Sequence, residues 1–272
     1  MASWLCPPRL RPPIAAIYWF ARTADDLADE GNAPPEQRLA DLAAFRGDLF
    51  AVAEGQAPSG RWPQVFAPLA RALTEFALPT RLLADLLDAF VQDVQFTASG
   101  RRYADDAELH DYCRRSANPV GRLLLHLYGI HDEASLTQSD QICTALQLIN
   151  FWQDVRVDAS RNRWYVSRAA MRQFAVTDAD FQPGSQSENA TKLIAAQVYS
   201  ARAGMLKGAP LALKIPGRAG WELRLVVQGG LRILDKIGAL NFRTWRTRPK
   251  IGAPDLPVLL WRALRMSSTP HP

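Results

Sequence analysis

Two pairs of aspartates, each with a spacing of four residues, form the strongest chemical pattern in the sequence. In the stretch 14–30, Asp25 and Asp29 share one narrow stripe with Tyr18 and Arg22, because an α-helix turns by about 100° per residue. The other faces of this predicted helix carry isoleucine, phenylalanine, leucine and alanine. A helix that is apolar over most of its circumference is expected to be buried. The stretch therefore points carboxylates into the protein interior or into a cavity.

A second stretch, 142–158, repeats the arrangement. Gln147, Asn150, Asp154 and Asp158 lie within about 80° of one another around the predicted helix, whose remaining positions are mainly apolar. Buried and unpaired, each carboxylate would cost several kcal/mol. Two such helices in one domain therefore either hold cations between them or carry solvent and arginines on their acids. The spacing leaves both interpretations open.

Four converging aspartates would suit a hard cation. Carboxylate and amide oxygens are ligands for Mg²⁺, which keeps water ligands and shares itself with substrate phosphates. A large apolar cavity beside such a site predicts a substrate with a long hydrocarbon tail and a diphosphate head. The metal would neutralise the diphosphate as it leaves.

Helices must position these stripes. The 272 residues are 48% hydrophobic and 22% charged, which excludes intrinsic disorder and allows a large core. Glycine and proline punctuate segments of helix length, and alternating β-branched patterns are scarce. We predict one all-α domain over residues 1–272 with about ten helices. Pro35 and Glu36 predict the start of a helix that runs to about Glu54.

Other chemistries and partners are poorly supported. The three cysteines and four histidines do not cluster, which argues against a zinc site and a histidine-based triad. The net charge of +5 is scattered, so we expect no nucleic-acid partner. One dense run, Arg243, Arg246, Arg248 and Lys250, is either a solvated connection or a contact with an anionic membrane. We expect a cytoplasmic protein, with peripheral contact at the inner membrane face.

Four motifs resemble those of the squalene/phytoene synthase family. Asp25-Asp-Leu-Ala-Asp29 and Asn150-Phe-Trp-Gln-Asp154-Val-Arg-Val-Asp158 are similar to its two aspartate motifs. The segments 112–121 and 163–167 match two further motifs, and the resemblance runs from about Ile14 to Leu234. It implies an all-α isoprenoid-synthase fold around a central apolar cavity. It also implies Mg²⁺-dependent head-to-head prenyl chemistry, with about two or three bound ions.

The resemblance also implies roles for individual residues. The predicted metal-binding and catalytic set is Asp25, Asp29, Asn150, Asp154 and Asp158. The predicted substrate-binding set combines diphosphate contacts with residues that line the cavity: Tyr18, Arg22, Asn118, Gln147, Gln153, Arg163 and Tyr165.

Departures from the family pattern indicate a subgroup. Position 153 is Gln where many condensing members have Arg, and Asn118-Pro119 replaces a common Gly. These features resemble the hopanoid-pathway subgroup of hydroxysqualene synthases, which convert presqualene diphosphate and water to hydroxysqualene and diphosphate. Such a reaction needs no NADPH, and no dinucleotide-binding fingerprint is present. Asn118 and Gln153 are both candidates to hold the water.

The alternative is a condensing synthase that uses farnesyl diphosphate to make presqualene diphosphate, squalene or a carotenoid precursor. Subgroup members usually carry a further short N-terminal stretch, so we expect that this chain is shortened there or that its start is misassigned.

Overall fold

A computed structural model describes residues 6–182 and 184–267. These residues form twelve α-helices and three short 3-10 helices, at Pro8–Leu10, Asp178–Phe181 and Ala253–Asp255, and contain no strand. The all-α prediction is therefore confirmed. The helices are α1 (Arg11–Asp29), α2 (Pro35–Ala53), α3 (Pro63–Phe76), α4 (Thr80–Ser99), α5 (Asp106–Ser116), α6 (Asn118–Leu127), α7 (Glu133–Ser160), α8 (Arg168–Gln173), α9 (Glu188–Gly208), α10 (Leu211–Lys214), α11 (Gly217–Ala239) and α12 (Leu256–Leu264).

The helices group into two compact units. The first contains residues up to Arg101 together with Arg114–Asp132, and the second contains Arg102–Cys113 and the residues from Glu133 onward. The expectation of one domain over 1–272 stays a prediction. In the described part of the chain, no helix is long and apolar enough to cross a bilayer.

The first unit is built around an aromatic cluster. Phe45 of α2 lies with its ring centroid 5.1 Å from Phe20 of α1, 4.7 Å from Phe66 of α3 and 5.0 Å from Trp62. The three phenylalanines are fully buried. Buried aromatic side chains contribute a large apolar area and prefer such tilted or edge-on geometries. The cluster therefore holds α1, and with it the first aspartate stripe, against α2 and α3.

The second unit is organised by the long helix α7, which packs against α9 and α11. Close approach to α9 depends on Gly208, where an added Cβ atom would lie 2.6 Å from the Gln138 carbonyl oxygen. Gly230 of α11 similarly faces Ile149 and Met205. Small residues at these positions let the helix backbones approach α7 closely, which fixes the helix that carries the second stripe.

Candidate active site

The first stripe lies on the partly exposed side of α1. Arg22 bridges two acids, with Nη1 3.1 Å from Asp25 Oδ2 and Nη2 2.6 Å from Asp26 Oδ1. Each of these side chains is about two-fifths exposed, so the pairs add little stability, about 0–1 kcal/mol each. Asp29 is half-buried at the last residue of α1, and Tyr18 is exposed. The stripe is therefore accessible, and only the opposite face of α1 is deeply buried.

Asn118 belongs to the same unit. It is the first residue of α6, and only 6% of its surface is exposed. A buried amide needs hydrogen-bond partners, so Asn118 makes a polar position at the start of α6. Pro119 follows it at the first turn, where the missing N–H has no helical acceptor in any case.

The second stripe lies on α7, and Asp154 is its best-connected member. Arg248 binds both carboxylate oxygens of Asp154: Nε contacts Oδ1, and Nη2 lies 2.9 Å from Oδ2. The neighbouring Gln153 donates from Nε2 to the Pro249 carbonyl oxygen at 2.6 Å. Residues 248–249 are thus fastened to α7 at two consecutive positions. Gln147 is half-buried and Asn150 is exposed on the same helix.

Asp158, one turn further along α7, has a perturbed acidity. Burial is the main reason that its pKa rises to about 7, and the charge of Asp154 raises it further. Arg163, Arg161 and Arg248 oppose the shift. Deprotonation of Asp158 is therefore unfavourable in this buried position beside Asp154, and a bound cation would favour it.

Tyr165 and Arg163 lie beside Asp158 at the end of α7. The Tyr165 ring stacks on Phe151 at a centroid distance of 3.6 Å and an interplanar angle of 9°. The backbone N–H of Arg163 donates to the Asp158 carbonyl oxygen at 2.9 Å. Asp158, Phe151 and Trp164 also border a recess of about 10 Å³, roughly the room for one water molecule. The chain after α7 therefore folds back on an aromatic shelf next to the second stripe.

The donor chemistry of each stripe fits Mg²⁺. Each offers a pair of aspartates one turn apart, and Mg²⁺ in proteins is commonly held by one or two carboxylates plus substrate phosphates and water. Among the described residues, no group of three or more His, Cys, Asp or Glu side chains could by itself hold a metal. The alternative interpretation, in which arginines pair with the acids, also applies, because Arg22 contacts Asp25 and Arg248 contacts Asp154. The convergence of the two stripes stays a prediction.

Arg248 is the site residue that sequence reasoning missed. The sequence placed it in a basic run, and the structure divides that run: Arg248 contacts Asp154, whereas Arg243 Nη1 lies 3.1 Å from Gln186 Oε1. The partners are 94 and 57 positions apart, so no local spacing could have indicated them.

Comparison with known proteins identifies relatives of this chain. A family model described as squalene/phytoene synthase matches residues 1–255. A hydroxysqualene synthase of Sinorhizobium fredii is 37% identical over 63% of this chain and 55% of its own length. Another, from Rhodopseudomonas palustris, is 35% identical over 83% of this chain and 74% of its own length. The chain thus spans little more than half of the first relative.

A solved structure agrees with these matches. The crystal structure of squalene synthase HpnC from Alicyclobacillus acidocaldarius is 33% identical, with a TM-score of 0.78 over 88% of this chain and 86% of that one. Phytoene synthases and presqualene diphosphate synthases are also similar, at 28–32% identity.

Proposed function

Because the chain belongs to the squalene/phytoene synthase family, we propose that it is a Mg²⁺-dependent hydroxysqualene synthase. It would convert presqualene diphosphate and water to hydroxysqualene and diphosphate. The observation that carries this choice is the greater identity to hydroxysqualene synthases, 35–37%, than to phytoene and presqualene diphosphate synthases, 28–32%.

The proposed reaction is a substitution at carbon. The carbon–oxygen bond to diphosphate breaks, and diphosphate keeps the electron pair. The carbocation rearranges, water bonds to carbon, and a proton is released. Mg²⁺, when bound, would supply positive charge to the departing diphosphate.

The chain's own residues would perform the remaining tasks. Asp25 and Asp29 on α1, and Asp154 and Asp158 on α7, would hold the metal, with Asn150 as an additional oxygen ligand. Arg22 and Arg248 would supply positive charge to the diphosphate, because each lies beside a carboxylate that would hold the metal.

The aromatic shelf provides a different kind of stabilisation. The stacked rings of Phe151, which is buried, and Tyr165, which is half-buried, lie beside the second stripe. An aromatic face is worth about 1–2 kcal/mol to a desolvated cation, so the shelf suits a reaction that passes through a carbocation. The Gln153 side-chain amide donates a hydrogen bond to the Pro249 carbonyl oxygen, which supports a structural role for this amide.

A product analysis tests the proposal. Purified protein with Mg²⁺ and without NADPH receives either presqualene diphosphate or farnesyl diphosphate, and the products are identified by mass spectrometry in ¹⁸O-labelled water. We expect hydroxysqualene carrying one labelled oxygen, from presqualene diphosphate only. Consumption of farnesyl diphosphate would instead support a condensing synthase, for which the similarity to presqualene diphosphate and phytoene synthases is the supporting observation.

Matched substitutions connect the activity to the stripes. We expect Asp25→Asn and Asp154→Asn each to lower turnover at least about 100-fold, as is typical for loss of one preorganised electrostatic group. The control is Asp88→Asn on α4, where the acid pairs with Arg46. Equal activities of stripe and control variants would contradict the assignment.

A further inference from the structure

The last described helix carries an apolar surface that packing inside its unit does not use. In α12, Leu259 and Ala263 are buried, and the helix packs against α11. On the other side, Leu256, Leu260, Trp261 and Leu264 are 54%, 55%, 53% and 66% exposed. We propose that this outward face of α12 is a docking surface for an anionic lipid bilayer. The proposal concerns a different region from the aspartate stripes and does not depend on the reaction.

Helix geometry explains why the exposed residues form one surface. Leu256, Leu260 and Leu264 are spaced by four and therefore stand one above the other along the helix. Trp261 adds an aromatic ring next to Leu260, at about 100° around the axis. Large contiguous apolar patches are rare on protein surfaces without a binding role. An indole ring with a polar N–H is well suited to the headgroup region of a membrane.

The helix is firmly attached, so its exposed face is not a frayed end. Asp255 lies directly before α12, is buried, and contacts both Arg232, at 2.8 Å, and Lys236 of α11. Arg262 Nη1 lies 2.6 Å from Asp235 Oδ2. Ionic hydrogen bonds at both ends of the helix thus fix which residues it presents outward.

Charge identifies the occupant as an anionic surface. Residues 236–272 contain a single acid, Asp255, which is buried. The same segment contains seven basic residues, and three of them, Lys236, Arg248 and Arg262, pair with Asp255, Asp154 and Asp235. The other four are Arg243, Arg246, Lys250 and Arg265. Each basic residue near a membrane of anionic lipids adds about 1 kcal/mol of attraction. A symmetric dimer through the same face would instead bring two positive surfaces together, which is unfavourable.

This inference moves the expected membrane contact from the basic run to α12. Within the run, Arg248 is bound to Asp154 and Arg243 to Gln186. Lys250 and Arg265 are exposed, and the Arg265 guanidinium lies over the Trp261 ring of the apolar face, 4.6 Å from its centroid. An apolar face with basic residues at its edge is the pattern of helices that lie in the membrane interface.

Vesicle flotation of the full chain tests the proposal. Vesicles contain phosphatidylcholine alone or about three parts phosphatidylcholine to one part phosphatidylglycerol. The test variant combines Leu260→Gln, Trp261→Ser and Leu264→Gln. The control variant combines Phe50→Gln, Tyr199→Ser and Leu206→Gln, which replace exposed apolar residues elsewhere. All six side chains are at least two-fifths exposed, so circular dichroism and the melting temperature should match those of the unmodified protein.

We expect the unmodified protein and the control variant to float with the anionic vesicles, and the α12 variant to partition at least about tenfold less. Bound protein should show quenching of Trp261 by brominated lipid, which Trp261→Phe removes, and high salt should weaken binding. Equal flotation of both variants would overturn the proposal. So would a dimer of the unmodified protein, measured by light scattering, that the α12 variant abolishes.

Discussion

The ion pair between Arg248 and Asp154 is open to a quantitative test. Arg248→Gln removes the bidentate ion pair with Asp154. The Asp154 side chain is 13% exposed and the Arg248 side chain is 40% exposed. Ionic hydrogen bonds contribute about 1.5–3 kcal/mol when shielded, and exposed pairs about 0–1 kcal/mol. For this mixed exposure, we expect a coupling free energy of about 1–2 kcal/mol. That corresponds to a fall in melting temperature of about 3–6 °C for a unit of this size.

A double-mutant cycle in EDTA measures the coupling. Urea unfolding of the unmodified protein, Arg248→Gln, Asp154→Asn and the double variant gives the pairwise term without the separate effects of each substitution. Arg156→Gln is the matched control, because Arg156 makes only a 3.5 Å contact with the Arg246 carbonyl oxygen. A coupling below about 0.3 kcal/mol would refute the reasoning, since additive sites agree within that margin.

Added Mg²⁺ extends the same measurement. If the metal binds the Asp154 carboxylate, it competes with the guanidinium, so we expect the coupling to shrink when Mg²⁺ is present at saturating concentration. We also expect Mg²⁺ to stabilise Arg248→Gln more than the unmodified protein, because Asp154 and Asp158 then face each other without Arg248. A coupling that is the same with Mg²⁺ and with EDTA would contradict metal binding at Asp154.

Three further predictions concern stability. The pKa of Asp158 is about 7 in the folded protein, against 3.8 for an unperturbed aspartate side chain, so the folded state keeps a proton that the unfolded chain releases. The free energy of unfolding in EDTA should therefore decrease as pH rises from about 4 to 7 and level off above, and Asp158→Asn should reduce that slope in urea titrations across this range. Gly208→Ala should destabilise by about 1–3 kcal/mol, because its Cβ would lie 2.6 Å from the Gln138 carbonyl oxygen. Gly229→Ala, with its nearest atom at 3.6 Å, should be neutral or stabilising by up to about 1 kcal/mol, and equal effects in thermal melts would contradict this packing argument. Phe45→Ala should cost about 3–5 kcal/mol in urea unfolding because it empties the centre of the aromatic cluster, and a cost below about 1 kcal/mol would show that the cluster contributes little.

Local sequence patterns predicted the elements well. The helix expected from Pro35 to about Glu54 spans Pro35–Ala53, because proline and an acid in the first turn are signals that act within one turn. The aspartate stretches 14–30 and 142–158 lie on α1 and α7, since helical periodicity is visible in the sequence. In each case the information is contained in neighbouring residues.

The state of the site depends on contacts that local patterns do not contain. Asp154 forms an ion pair with an arginine 94 positions away, and the raised pKa of Asp158 comes mainly from burial. The sequence also suggested that α1 is buried on most faces, whereas Tyr18 and Trp19 are exposed. Burial and ionic partners are set by tertiary packing, so a pattern that locates an acid cannot determine its charge.

The attachment of residues 248–249 to α7 has a consequence for building chimeras between relatives. Gln153 and Asp154 are recognised by a backbone carbonyl and a side chain that lie far along the chain, just before the segment leading to Asp255. Exchanging α7 alone, or the stretch after α11 alone, would separate Gln153 and Asp154 from the residues 248–249 that they contact in the same parent. A recombination block should therefore carry both stretches from the same parent.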